Sequence, residues 1–101
     1  MINVENLIAV NDKRNGQNRF KVYGTVTVDN PGITPVLREP TRRHRGAWEV
    51  LQLELVDDGG ITLQVLTEKT VHFEREGASI WGMVEINYPG GTGHIKIVTL
   101  D

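Results

Sequence analysis

The densest group of reactive side chains is a run of arginines in the first half of the chain. Four of the eleven Lys and Arg residues fall within eight positions, and a tryptophan follows shortly after them. A guanidinium group makes bidentate hydrogen bonds to carboxylates and phosphates, and an indole ring stacks on bases or packs in protein interfaces. The candidate binding residues are therefore Arg38, Arg42, Arg43, Arg45 and Trp48.

The charge of this run contrasts with that of the rest of the chain. Residues 38–46 hold four Arg and one Glu, a net charge of +3, whereas the whole chain carries −2, which leaves −5 for the other residues. A net negative chain is not a general polyanion binder, and Trp48 lacks the interleaved aromatic residues of a single-strand-binding surface. We therefore expect a protein partner with an acidic patch, with polyanion or nucleic-acid binding through residues 38–48 as the alternative. A solvated loop with weak ion pairs is a third interpretation.

The sequence contains no pattern typical of a catalytic or metal site. The single serine, Ser79, is not in a G-x-S-x-G turn, and the three histidines are not spaced as metal ligands. The absence of cysteine excludes disulfides, thiol catalysis and cysteine-ligated metals. The adjacent Asp57 and Asp58 are typical of a glycine turn and are too few for calcium. We predict a protein that is not an enzyme and that needs no metal or other cofactor.

Length and hydropathy indicate one domain spanning residues 1–101. No stretch reaches the ~20 apolar residues of a membrane-spanning helix. The first residues contain no basic region followed by an apolar run, as a signal peptide would. We therefore expect a cytoplasmic protein that does not contact a membrane.

Apolar and polar residues alternate in segment after segment, which is the pattern of strands with one buried face. The aligned apolar sets are Ile2, Val4, Ile8 and Val10; Phe20, Val22, Val26 and Val28; Leu51, Leu53 and Leu55; Ile61, Leu63 and Val65; Val71 and Phe73; Ile80, Val84, Ile86 and Tyr88; and Ile95 and Ile97. No window shows a comparable helical stripe. The sequence therefore predicts an all-β protein of about seven strands.

Turn residues separate these runs. Asn15-Gly16 and Asp58-Gly59 favour tight turns with positive φ. Pro35 predicts an edge strand or a crossing between sheets, because proline cannot donate to a central ladder. This pattern is typical of an antiparallel two-layer β-sandwich with immunoglobulin-like architecture, with a small β-barrel as the alternative.

Two large apolar residues, Trp81 and Met83, have the opposite parity to their neighbours Val84 and Ile86. We expect Trp81 to be buried in the core. The alternative is an exposed patch with Leu66, which would mark a partner surface or a homo-oligomer contact. The resulting functional hypothesis is a non-catalytic module that binds another protein through loops or an edge strand. A structural subunit of a homo-oligomer is a further alternative.

Overall fold

The computed structural model describes residues 4–40, 48–59 and 64–101. The seven strands are β1 (Leu7–Asp12), β2 (Arg19–Val28), β3 (Ile33–Arg38), β4 (Glu49–Asp57), β5 (Thr67–Glu76), β6 (Met83–Tyr88) and β7 (Gly91–Leu100). Within the described ranges the only helical element is a 3-10 turn at Arg14–Gly16. No helix in these ranges has the length and apolar character needed to cross a membrane. The prediction of an all-β protein with about seven strands is confirmed.

The strands form one mixed sheet in the order β3-β4-β6-β7-β1-β2-β5. Strand β7 joins its two halves, because its first residues pair with β6 and its last residues pair with β1. The two edge strands, β3 and β5, approach each other, so the sheet curls into a nearly closed barrel. The small barrel therefore fits the structure, while the immunoglobulin-like sandwich stays a prediction.

The prediction of an antiparallel structure is wrong for two strand pairs. β1 and β7 are parallel, as are β4 and β6, whereas the other neighbouring pairs are antiparallel. The alternation of apolar residues reports which face of a strand is buried. It carries no information on the direction of the neighbouring strand, and for this reason the parallel pairs were not predicted.

The core is built from the inward faces that the alternation predicts. The side chains that are almost wholly inaccessible are Phe20, Val22, Val26, Val28, Leu51, Leu53, Val84 and Ile86. Burying each of them stabilises the fold by about 1.5–3 kcal/mol. Phe20 also makes an edge-to-face contact with Phe73, with ring centroids 6.2 Å apart. Strands β2, β4 and β6 therefore supply the centre of the core.

The alternation at the N-terminus is only partly right. Ile8 is 49% exposed, whereas Leu7 and Ala9 are in the core. Val10 is buried, but it lies on the outer face, where it pairs with Val98 of β7. Apolar residues on both faces of β1 made the inward parity ambiguous in the sequence.

Two further residues that the alternation assigned to buried strand faces, Val65 and Ile80, are exposed and lie outside the strands. Val65 is 54% exposed and precedes β5, while its predicted partners Ile61 and Leu63 lie outside the described residues. Ile80 is 87% exposed because β6 starts three residues later, at Met83. The stretch before β6 is a loop.

The predicted turns and the predicted edge strand are in place. Asn15 and Gly16 have φ values of 55° and 76°, and Gly59 has a φ of 75°. Pro35 lies in β3, which is at one end of the strand order. The chain between β3 and β4 therefore starts from a sheet edge.

Candidate functional site

Three of the five predicted binding residues, Arg42, Arg43 and Arg45, lie outside the described residues. Arg38 is at the end of β3, and its Nε is 3.2 Å from Oε2 of Glu54, with both side chains about half exposed. Exposed pairs of this kind contribute about 0–1 kcal/mol. Arg38 is thus part of a surface ion pair on the outer face of the sheet.

The fifth predicted residue, Trp48, lines an open cleft at one end of the barrel. The cleft has a volume of about 540 Å³, and its apolar lining comes from Pro40, Trp48, Val50, Ile80 and Trp81. It brings together both tryptophans of the chain. The prediction that Trp81 is buried in the core is wrong, because its side chain is 37% exposed here.

The charged floor of the cleft is centred on Arg75 of β5. Its Nη2 donates to Oε1 of Glu49 at 2.7 Å, and its Nη1 donates to Oε1 of Glu39 at 3.0 Å. The guanidinium carbon lies 5.0 Å from the ring centroid of Phe20. The hydrogen bond that Arg75 donates to Glu49 is the largest influence that raises the pKa of Arg75 above its ordinary value. Arg75 thus remains a cation that ties β5 to the two glutamates on either side of residues 40–48.

Buried hydrogen bonds from the Asn11 side chain hold the loop before β6. The Asn11 side chain exchanges two hydrogen bonds with the Ser79 backbone: Nδ2 donates to the Ser79 carbonyl at 3.1 Å, and Oδ1 accepts from the Ser79 N–H at 2.9 Å. The Ser79 hydroxyl donates to Oε1 of Glu49 at 3.0 Å and accepts from the Trp81 N–H at 3.2 Å. A buried amide is tolerated only when its polar atoms are satisfied. Asn11 therefore acts as a dedicated backbone partner for Ser79.

The hydrogen bonds of the Ser79 hydroxyl in the cleft differ from those of an activated nucleophile. The hydrogen-bond partners found for the Ser79 hydroxyl are a carboxylate, already paired with Arg75, and a backbone amide. An activated nucleophile instead needs an adjacent general base that a third group orients. Within residues 4–40, 48–59 and 64–101, no group of three His, Asp or Glu side chains is arranged to hold a metal ion.

A second charged cluster lies on the outer face of the barrel, around Asp12. Its carboxylate accepts from the Arg14 guanidinium and from Nζ of Lys21, each at 3.1 Å, and also from the Arg14 backbone N–H. The Arg14 hydrogen bonds are the main cause that holds the pKa of Asp12 well below its ordinary value. The Asp12 side chain is only 4% accessible. The Asp12 carboxylate thus accepts four hydrogen bonds, two at each oxygen.

The chain matches no family model, no curated protein and no solved structure. The functional argument therefore rests on the cleft. Sequence reasoning identified Trp48 but did not identify Arg75, Asn11 or Ser79 as parts of one site. The only signal for Asn11 was a polar residue among the apolar positions of β1, and its partner is 68 residues away.

Proposed function

We propose that the protein is a non-catalytic module that binds another protein at the cleft end of the barrel. The observation that carries this proposal is the meeting of Trp48, Trp81 and Ile80 at one open cleft. Trp and Arg are the residue types most enriched among interface hot spots. Large apolar side chains left exposed on an otherwise polar surface are typical of a contact site.

The distribution of charge along the chain favours an acidic partner. The described charged lining consists of Glu39, Glu49 and Arg75, which pair with one another and leave a net charge of −1. Residues 38–46 add a net charge of +3, while the remainder of the chain carries −5. We infer from this charge distribution that an acidic partner is attracted to the basic stretch of the chain and repelled by the remainder, which raises its association rate.

The proposal is tested by affinity capture from a lysate of the cells that express the protein. Three baits are compared: the wild type, a variant in which Arg42, Arg43 and Arg45 are replaced by Glu, and a control with the same change in net charge. The control replaces three lysines that do not line the cleft with Glu: Lys13, Lys69 and Lys96.

We expect at least one protein to be retained by the wild type and by the lysine control and to be lost from the arginine variant. Matching melting temperatures of the three baits show that the fold is intact. Capture of the same proteins by all three baits would show that Arg42, Arg43 and Arg45 do not contact the partner.

Polyanion binding is separated from protein binding by its dependence on salt. Contacts to phosphates strengthen steeply as salt is diluted, because counterions are released. Fluorescent single-stranded and duplex oligonucleotides are titrated with the wild type across a salt series. Our proposal predicts no saturable binding even at low salt, and tight binding with a steep salt dependence would replace it with a nucleic-acid function.

A homo-oligomer is the second candidate, and exposed apolar residues on the outer face of the barrel favour it. Ile8 and Tyr23 are cross-strand partners on β1 and β2, and they are 49% and 37% exposed. Val98 on the neighbouring strand β7 is 50% exposed. Sedimentation velocity at high protein concentration tests this candidate. A homo-oligomer requires a species larger than the monomer, and Tyr23→Lys should convert that species to monomer.

A further inference from the structure

The barrel is left unclosed along one line, where the edge strands β3 and β5 lie side by side. Some of their Cα atoms are within 8 Å of each other, yet the two strands stand at opposite ends of the hydrogen-bonded order. Within the described residues, no backbone hydrogen bond joins them. This line between β3 and β5 is called the seam below.

Two side-chain bridges cross the seam, one near each end. Nζ of Lys69, near the start of β5, donates to the carbonyl of Pro31, just before β3, at 2.8 Å. Nη1 of Arg75, near the end of β5, donates to Oε1 of Glu39, just after β3, at 3.0 Å. Since start is bridged to start and end to end, the two edge strands run in the same direction. A single strand that lies antiparallel to both can therefore fit between them.

The backbone of β5 presents a row of polar groups to the seam. Alternate residues of an antiparallel strand bond to one neighbour and turn their N–H and C=O groups the other way. The Gly77 N–H donates to the Asn18 carbonyl, so the register places every second residue from Gly77 in the ladder with β2. The residues between them turn their backbone groups to the seam: Glu68, Thr70, His72, Glu74 and Glu76. Such a row is a template for another strand.

The side chains beside this row define what an added strand must carry. On the outer face of β5 the charged residues are Glu68, Glu74 and Glu76, and no residue of this face of the strand is Lys or Arg. On the inner face, Phe73 packs against the core but is only partly buried. Opposite charges and apolar pairs stabilise neighbouring strands when they lie directly across from each other. Basic side chains therefore suit the outer face of the added strand, and apolar side chains suit its inner face.

We propose that the seam is a second binding surface, which accepts an extended segment of another protein as an added strand along β5. Basic residues of the segment face the glutamates and alternate with apolar residues that pack beside Phe73. In this mode of recognition, backbone hydrogen bonds supply affinity and alternate side chains supply specificity. The inference goes beyond the proposed function, since it concerns a different surface and a partner segment of the opposite charge.

The bridges across the seam oppose the entry of this strand. A strand between β3 and β5 needs them about 9.5 Å apart, twice the spacing of paired strands, whereas their Cα atoms approach within 8 Å. The seam must therefore widen, which breaks the hydrogen bond from Lys69 to Pro31. When a ligand binds only a minor open state, its apparent dissociation constant rises as the population of that state falls. Removal of the Lys69 bridge should therefore tighten binding, although it deletes a native hydrogen bond.

The probe is a fluorescent nine-residue peptide with blocked ends in which Lys and Val alternate. It is titrated by polarisation against the purified full chain at physiological salt. A second peptide carries the same charge but has proline at two of the Val positions, and proline cannot donate to a ladder. The protein variants are Lys69→Ala and, as the matched control, Lys96→Ala. Lys96 is an exposed residue of β7, away from the seam, and its replacement removes the same charge.

We expect the alternating peptide to bind saturably and the proline peptide to bind at least about tenfold more weakly, because it cannot complete the ladder. Lys69→Ala should bind the alternating peptide at least about threefold more tightly than Lys96→Ala does, because the open state is more populated. A merely structural role of Lys69 would not produce this gain.

Hydrogen exchange followed by NMR locates the site. In the free protein, the amides of Thr70 and His72 should exchange fast, whereas those of Val71 and Phe73 should be protected by the ladder with β2. The alternating peptide should slow the exchange of Thr70 and His72.

Four results would each overturn the inference. Without saturable binding of the alternating peptide, the seam is not a strand-binding surface. Equal binding of the two peptides would mean that charge attraction alone holds them. Equal affinities of Lys69→Ala and Lys96→Ala would mean that the seam does not open on binding. Slow exchange of Thr70 and His72 in the free protein would mean that β5 has no unpaired edge. None of these results bears on capture at the cleft, so the proposed function fails or stands independently.

Discussion

Replacing Arg75 by Met removes the charge at the floor of the cleft and keeps most of the apolar stem. The substitution deletes a partly buried hydrogen-bonded pair with Glu49, whose side chain is 18% exposed, and such charge-assisted bonds are worth about 1.5–3 kcal/mol. The pair with the half-exposed Glu39 adds at most about 1 kcal/mol. The contact with the Phe20 ring adds about 0.5–1 kcal/mol. Since Met recovers part of the packing, we expect a loss of about 2–3 kcal/mol, or roughly 10–20 °C in melting temperature for a domain of this size.

Arg38→Met is the matched control for this prediction. Arg38 is also a strand arginine paired with a glutamate, Glu54, but the side chains of both residues are about half exposed. We expect this variant to lose less than about 1 kcal/mol. Calorimetric melts at neutral pH compare the two variants, and a double-mutant cycle with Glu49→Gln isolates the Arg75–Glu49 coupling, expected at about 1–2 kcal/mol. Equal melting shifts for the two arginine variants, or a coupling near zero, would refute the claim that the Arg75 ion pairs stabilise the fold more than an exposed surface pair does.

Three further predictions concern the scaffold. Asp12, whose pKa is depressed chiefly by hydrogen bonds from Arg14, stabilises the fold fully above the ordinary aspartate pKa of about 3.9 and loses that contribution as pH falls through its native value. The difference in urea midpoint between wild type and Asp12→Asn should therefore be constant from pH 7 to 5 and narrow below about pH 4, and a constant difference down to pH 2.5 would contradict this account. Gly24→Ala should lower the melting temperature far more than Gly16→Ala, because a Cβ at Gly24 meets backbone atoms of Asn6 and Leu7, whereas one at Gly16 meets nothing within 4 Å. Equal melting shifts would argue against this close packing of β2 on the start of β1. Leu51→Ala deletes a fully buried side chain and should cost about 2–5 kcal/mol in urea unfolding, and a loss below 1 kcal/mol would place Leu51 outside the core.

The sequence predicted the parts of the fold that depend on local periodicity. The buried faces of β2 and β4 follow from alternation alone, because successive side chains of a strand point to opposite sides. The same alternation occurs in a sandwich and in a barrel, so it could not distinguish the two architectures. It also misplaced Ile80 and Trp81, since the alternation in the sequence begins at Ile80, three residues before β6 starts at Met83.

The cleft was beyond prediction for a different reason. Trp48 was identified from its residue type and its position after the arginines, but the groups that build the cleft around it come from distant parts of the chain. Asn11 and Ser79 are 68 positions apart, and Arg75 is 26 positions from Glu49. Contacts of this kind depend on the order of strands in the sheet, which local sequence patterns do not encode.

The structure also indicates that the two walls of the cleft are energetically connected. One carboxylate oxygen, Oε1 of Glu49, accepts both from Arg75 at 2.7 Å and from the Ser79 hydroxyl at 3.0 Å. Arg75 also donates to the carboxylate of Glu39. Ser79 lies in the loop of residues 77–82, where the Asn11 side chain holds its backbone. Loss of either donor leaves the same oxygen to be satisfied by the other, so the stability effects of Arg75→Met and Ser79→Ala should not add. If the losses in free energy of unfolding of the two single variants add up to that of the double variant within about 0.3–0.5 kcal/mol, Glu39 and the loop at residues 77–82 are held independently. A larger deviation would identify Glu49 as the residue that couples them.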